Sequence, residues 1–446
     1  MSQTTNASQT PHATQTTTLS QPAGVPTVAG RVDDLRTSAR RSLSGTPGQL
    51  RILSLAAVVV SLIFAVGAFS TFGSADDALR RAGENAAQLV RIQAIHTNLV
   101  RADADATNAF LVGGIEPAGQ RTSYTASMTQ ASELIAQAAK AQPADGPALG
   151  ALNNAVLSYG GLIEQARANN RQALPVGAQY LRVASSGLRS DALPILDALV
   201  KANDARAIAE FDAAKRTLAT FLALGVLALV VLIGGMVWLS RRTHRYINVP
   251  LAGATLAILL TLVIGSIALA SVGSRVSTVR DNSYAATLAT AKARIAAFDA
   301  KSNESLTLIA RGSGASFEKA WLGSSGSVVA QSVTSADLNS DAASMSELWK
   351  KYVGVHQQVR KADDGGQWEA AVKAATGSGA TSSNATFDAF DTASGSALTS
   401  SSRTATDSLD TPRTWLPFAA WLALLIGIAA AVSAWWGVSL RLEEYR

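Results

Sequence analysis

The run LATFLALGVLALVVLIGGMVWLS (218–240), the loop RRTHRYIN (241–248) and the run VPLAGATLAILLTLVIGSIALASVG (249–273) follow one another directly. At 1.5 Å rise per residue, roughly 20 apolar residues cross a hydrocarbon core of about 30 Å, so each run can span a bilayer as a helix. Arg241, Arg242 and Arg245 sit between them. A short arginine-rich loop between two spans is expected on the cytoplasmic side.

Working outward, the same charge-free pattern recurs over 52–75 and 414–440, with apolar stretches from Ile52 to Phe72 and from Trp415 to Val438. Four such runs make a buried soluble helix a poor explanation, and the spans read as 51–73, 217–240, 249–273 and 414–440. Trp238, Trp415, Trp435 and Trp436 fall near span ends, where an indole favours the interface, and Trp421 lies deeper. Arg36, Arg40, Arg41 and Arg51 precede the first span and place the N-terminus in the cytoplasm of a multi-pass plasma-membrane protein. The even number of spans returns the C-terminus to the same side. No clear A-x-A cleavage site follows the first span, which reads as a retained anchor.

The composition agrees. Of 446 residues, 48% are hydrophobic and 16% charged, with mean hydropathy +0.18 and net charge +6. These values exclude a disordered chain or a single small domain and favour a membrane protein. The topology divides the charge: segments 73–216 and 273–413 each hold 14 basic and 14 acidic residues, so the excess is cytoplasmic, +3 from the tail and +3 from the loop. The basic balance is therefore an orientation signal and gives no argument for nucleic acid.

Chemistry is excluded by type. There is no cysteine, so disulfides, thiolate metal sites and cysteine nucleophiles are out. His12, His96, His244 and His356 are too scattered for a histidine metal centre. No nucleotide-binding, hydrolase or kinase motif occurs. The expectation is a non-enzyme with no cofactor and no metal.

The expected layout is a disordered cytoplasmic tail (1–50), a first extracytoplasmic helical bundle (74–216), a cytoplasmic loop (241–248), a second bundle (274–413) and a cytoplasmic end (441–446). In the first bundle Ile92, Ile95, Leu99, Ala102, Ala106 and Phe110 recur at three and four, the stripe of a packed helix. Breakers at Gly113-Gly114, Pro143 to Pro147 and Leu174-Pro175 divide it into helices near 73–112, 116–141, 147–172 and 175–216, with a kink expected near Pro194. The second bundle repeats this less regularly, and six serines and threonines from Thr399 to Thr406 should weaken its last helix. The fold class is all-α: four transmembrane helices and two tandem up-and-down four-helix bundles on helical stalks.

Candidate partner-binding residues are the membrane-distal tips: Gly113, Gly114, Ile115, Glu116, Asn169, Asn170 and Arg171 in the first bundle, with Arg311, Gly312, Ser313, Asp363 and Asp364 in the second. His96, Asp103, Asp105 and Asn108 lie beside the apolar stripe and are expected on a solvated face, with Asp105 and Asn108 as the alternative ligand contacts. Cytoplasmic docking falls to Arg241, Arg242 and Arg245 and to the end Arg441, Glu443, Glu444, Tyr445 and Arg446. The basic loop is better explained by topology and anionic lipid, whereas the mixed charge of the end is not required by topology.

The stretch from Asp105 to Gly114, the stretch from Ala166 to Arg171, the terminal Arg441 to Arg446 and the layout over 50–446 together resemble the GlnX-type actinobacterial membrane proteins, with bundles similar to those of chemoreceptors. The resemblance implies a transmembrane adaptor. A GlnH-like amino-acid-binding lipoprotein would report glutamine- or aspartate-type availability from outside, and a PknG-like soluble Ser/Thr kinase would receive it inside. The runner-up is a direct chemosensor binding an amino acid within a bundle. Charge-free spans argue against a transporter or channel, and the sequence leaves a homodimer open.

Overall fold

The computed structural model describes residues 46–243 and 248–443, and every regular element among them is helical. The expected tail through residue 45, Arg245, Glu444, Tyr445 and Arg446 lie outside the described residues, as do the side chains of Arg242, Arg441 and Glu443.

Four long rods carry the molecule. The first is α1 (Thr46–Val112), 67 residues without a break and therefore about 100 Å long. The second joins α4 (Val176–Gly187), a π turn (Leu188–Ala192) and α5 (Leu193–Thr243). The third joins α6 (Val249–Thr278), a π turn (Val279–Tyr284) and α7 (Ala285–Ile309). The fourth is α11 (Ser383–Arg413) followed by α12 (Leu416–Glu443). Each rod is long and apolar enough at one end to cross a membrane, so the chain is an all-α membrane protein.

In the membrane α1 packs on α5 and α12, and α6 packs on the same two. With lipid as solvent, close fit holds spans together, and glycines let them approach. Phe221 packs on Phe64 and Phe72 with ring centroids 5.9 and 5.4 Å apart. Asn248 caps α6 through Leu251 N and donates to Gly437 O at 2.6 Å, tying the loop end to α12. Leu55, Val66, Val230, Ile264, Leu425, Trp435 and Trp436 remain exposed, as a lipid-facing surface requires.

Beyond the spans, α2 (Ala118–Ala141) and α3 (Gly146–Arg171) complete the first bundle, and α8 (Ala315–Leu338), α9 (Met345–Asp364) and the short α10 (Trp368–Thr376) complete the second. The bundles are fused side by side because α1 carries two buried faces. Ile92, Ile95, Leu99, Ala102 and Ala106 pack into the first bundle. Val100 and Ala104 pack with Ala293, Ala297, Phe298 and Ala300 of the second, and Leu111 meets Leu308 near the tip. Alanine spacing on α7 permits this close approach.

Two local features bear on the sequence expectations. Near Pro194 the chain forms the π turn Leu188–Ala192, just ahead of the proline, whose missing N–H and ring disturb the preceding helical turn. The Ser/Thr run does not break α11: Thr399, Thr404 and Thr406 return their hydroxyls to carbonyls four residues back at 3.0–3.1 Å, and Thr287 donates to Ser401 at 3.1 Å.

A Cβ on Gly427 would stand 2.4 Å from Ala65 Cβ and 2.7 Å from its Cα. Gly427→Ala is expected to force α1 and α12 apart at a cost of about 1–3 kcal/mol, lowering the unfolding temperature in detergent. Gly253→Ala, with nothing within 4 Å, is expected to leave it unchanged.

Candidate functional site

The first bundle opens a cavity of about 320 Å³ at its membrane-distal end, built where α1 stops. Gly113 and Gly114 adopt φ of 71° and 62°, a conformation costly to other residues, and turn the chain back. Glu116 is thereby delivered to Arg167 on α3, with Nη2 3.0 Å from Oε1. Arg167 also pairs with Glu164 at 2.7 Å and lies over the Tyr124 ring at 4.0 Å, so it forms a fixed wall. Ala106, Ala109, Phe110, Ile163, Ala166 and Leu181 supply an apolar lining. Gly177 brings α4 against the end of α3: a Cβ there would meet Ala166 O and Asn170 N at 3.1 Å.

Of the predicted tip residues, Gly114, Ile115, Glu116, Asn170 and Arg171 line this one cavity. Ile115 is 88% exposed. In the second bundle Arg311 lies over the Trp368 ring at 4.1 Å, and Gly312 turns the chain with φ 86° before Ser313. Asp363 and Asp364 pair with Arg360 at 2.6 and 2.5 Å. Arg241 is exposed at the other end of the molecule.

The polar residues of α1 correct the expectation of a solvated face: His96, Asp103 and Asn108 are buried, because the second bundle covers that side of the helix. Asp103 is fully buried and accepts from Ser185 (2.5 Å), Ser302 (2.6 Å), Tyr159 (3.3 Å) and Arg189 (3.0 Å). Arg189 sits on the π turn and also reaches Asp299 of α7 at 2.8 Å. Asp299 accepts from Ser324 at 2.6 Å. One arginine thus joins carboxylates from both bundles. Nearby, Asp391 of α11 takes Arg101 at 2.9 Å and Arg294 at 2.6 Å, and Asn108 is held by Gln120 (2.7 Å) and Asn384 (3.1 Å). Neither Asp105 nor Asn108 lines the distal cavity. Burial pushes His96 down to about 4 and leaves it neutral.

Asp105 differs from its neighbours: its Oδ2 is sealed from solvent with no hydrogen-bond donor. Burial raises its carboxyl to about 7; Arg101 opposes the shift, and Asp388, Asp391 and Glu116 add to it.

A second charge cluster fills the core of the second bundle. Glu304 accepts from Lys301 (2.8 Å) and Ser383 (2.5 Å) and pairs with His356 Nδ1 (2.8 Å). The His356 ring stacks on Trp321 at 3.6 Å. Burial opposes ionisation of Glu304, yet Lys301 and His356 outweigh it and hold the carboxyl down at about 2. These groups are buried and mutually satisfied, which suits a structural role.

Sequence reasoning missed Arg121 and Arg167 at the cavity and Tyr124 beneath Arg167, although the Glu164/Arg167 spacing of three is a local pairing signal. It also missed Arg189 and Asp299, partners far apart in sequence with no local signal.

Residues 78–212 match the family model for the actinobacterial sensor domain. The match covers the first bundle, from α1 beyond its span to α5 before its span, and supports an actinobacterial sensor protein with a sensing or signalling role. No curated protein and no solved structure matches the chain.

Arg189→Ala leaves Asp103 charged and buried, and is expected to cost about 3–5 kcal/mol in thermal unfolding. Adding Asp103→Asn should recover part of that loss, and a purely additive double variant would count against the pair. For Asp105 the charged form is disfavoured in the folded state, so its cost is absent below the ordinary carboxyl pKa and complete above about 7. Raising pH from 5 to 8 is therefore expected to lower the unfolding temperature, and Asp105→Asn to remove that part of the slope.

Proposed function

We propose that the chain is a non-enzymatic transmembrane signal transducer with both bundles outside the plasma membrane and both termini in the cytoplasm. A GlnH-like binding lipoprotein carrying an amino acid of the glutamine or aspartate type docks on the distal tips. A PknG-like cytoplasmic Ser/Thr kinase reads the result at Arg241, Arg242 and Arg245 and at the end from Arg441 to Arg446.

The observation that carries this reading is the continuity of α1, which runs unbroken from a span to the tip residues at Gly113. A displacement at its distal end has no flexible linker in which to dissipate. The sensor-domain match over the first bundle supports the same role. The π turns Leu188–Ala192 and Val279–Tyr284 interrupt two other rods, and such turns accommodate small changes of helical register. Docking then shifts the pair of bundles joined on α1 as one body, and the packed spans carry the shift across the membrane.

The test uses the full chain in nanodiscs with the purified lipoprotein and kinase. Association of amino-acid-loaded lipoprotein is expected, weakened about tenfold by Ile115→Asp, which charges an exposed tip residue. Absence of association in every ligand state would sink the docking claim. Equal kinase binding before and after truncation of 441–446 would remove the end as a docking element.

A further inference from the structure

The distal cavity of the first bundle holds groups that its own packing does not use. Arg167 is consumed by Glu116, Glu164 and Tyr124. Arg121 is half exposed, and its contacts to Glu116 and Glu164 are long, at 3.5 and 3.7 Å. Arg171, exposed at the end of α3, has no side-chain hydrogen bond or ion pair among the described residues. Glu116 Oε2 is sealed from solvent and makes no hydrogen bond, its nearest partner being that Arg121 guanidinium at 3.5 Å. The cavity thus offers Arg171 without a partner among the described residues, Arg121 held only by long ion-pair contacts, and a carboxylate oxygen that makes no hydrogen bond, above an apolar lining of Ala106, Ala109, Phe110, Ile163, Ala166 and Leu181.

We propose that this cavity binds a small carboxylate bearing a hydrogen-bond donor on the adjacent carbon, an α-amino or α-hydroxy acid. Arg121 and Arg171 take the ligand carboxylate, the geometry for which a guanidinium fork is suited. Arg121 leaves Glu116 Oε2 as it turns to that carboxylate, the uncovered oxygen accepts from the ligand's ammonium or hydroxyl, and the apolar lining receives the rest. The volume of about 320 Å³ is enough for a molecule of this class. A carboxylate without the donor leaves Glu116 Oε2 unpaired, and an amine without the carboxylate leaves the arginines unused.

Occupancy also has a mechanical consequence. The cavity walls come from α1, the loop after it, α2, α3 and α4, and the α3–α4 turn contains Ala173 at φ 55°. A carboxylate bridging Arg171 and Arg121 draws that turn toward the Gly113–Glu116 loop. Helix α4 continues directly into the π turn that carries Arg189. This site acts without the lipoprotein and stands independently of the docking reading.

The experiment is calorimetry on the full chain in nanodiscs with no partner protein present. Its arms are the proteinogenic L-amino acids, their 2-hydroxy counterparts, the matching carboxylates lacking the 2-substituent, and the matching amines lacking the carboxylate. The expected result is saturable binding in the first or second arm, which separates the two sources of the shared chemistry. Binding in the third and fourth arms should be at least tenfold weaker. Arg171→Ala and Arg121→Ala, both at exposed side chains, are each expected to weaken binding at least tenfold without changing the unfolding temperature of the unliganded protein. No binding in the first two arms, equal binding of the unsubstituted carboxylates, or binding indifferent to both substitutions would overturn the proposal.

Discussion

Asp103 is a carboxylate with no access to water, and a buried charge of that kind demands a partner. Arg189 meets the demand from a π turn and at the same time reaches Asp299 in the other bundle. The arrangement fixes more than one pair. It sets the rotation of α1 about its axis, holds the π turn in place and joins two bundles that the sequence lays out in tandem. Alanines on α7 then complete a close seam that the charges alone could not build.

The seam turns four membrane rods into one mechanical unit. Because α1 lies in both hydrophobic cores and continues as a span, neither bundle can rotate on it independently. Within the membrane the same helix packs between α5 and α12. The distal cavity, the polar seam and the span packing thus succeed one another along α1, at roughly 1.5 Å per residue over its length. Such an order suits a protein that relays an event at one end to the other, and a sensing role fits it.

Much of this was legible in the sequence. Charge-free runs located the spans, since no ion is cheaply placed in lipid, and glycine and proline breakers located the turns that bound α1, α2 and α3. Grouping tip residues was legible too, because up-and-down topology puts Glu116 and Asn170 at one end. The seam was not. One apolar stripe on α1 was visible at Ile92 to Phe110, whereas the second, at Val100, Ala104 and Leu111, is interrupted by polar residues that read as solvated. Asp103 could be recognised as buried only once Arg189 and Asp299 were brought to it by the fold. Arg171 was legible as a tip residue at the Asn169-Asn170 turn, whereas Arg121 carries no signal distinguishing it from other surface arginines.

Joined through α1 and the Asp103–Arg189–Asp299 seam, the two bundles move as one body. The chain has no native cysteine, so spin labels can be placed cleanly at Ser158→Cys on α3 and Lys350→Cys on α9, both exposed. Pulsed dipolar spectroscopy between them, on the full chain in nanodiscs, is expected to give a single narrow distance distribution. A broad distribution, or two resolved distances in the unmodified background, would contradict the account.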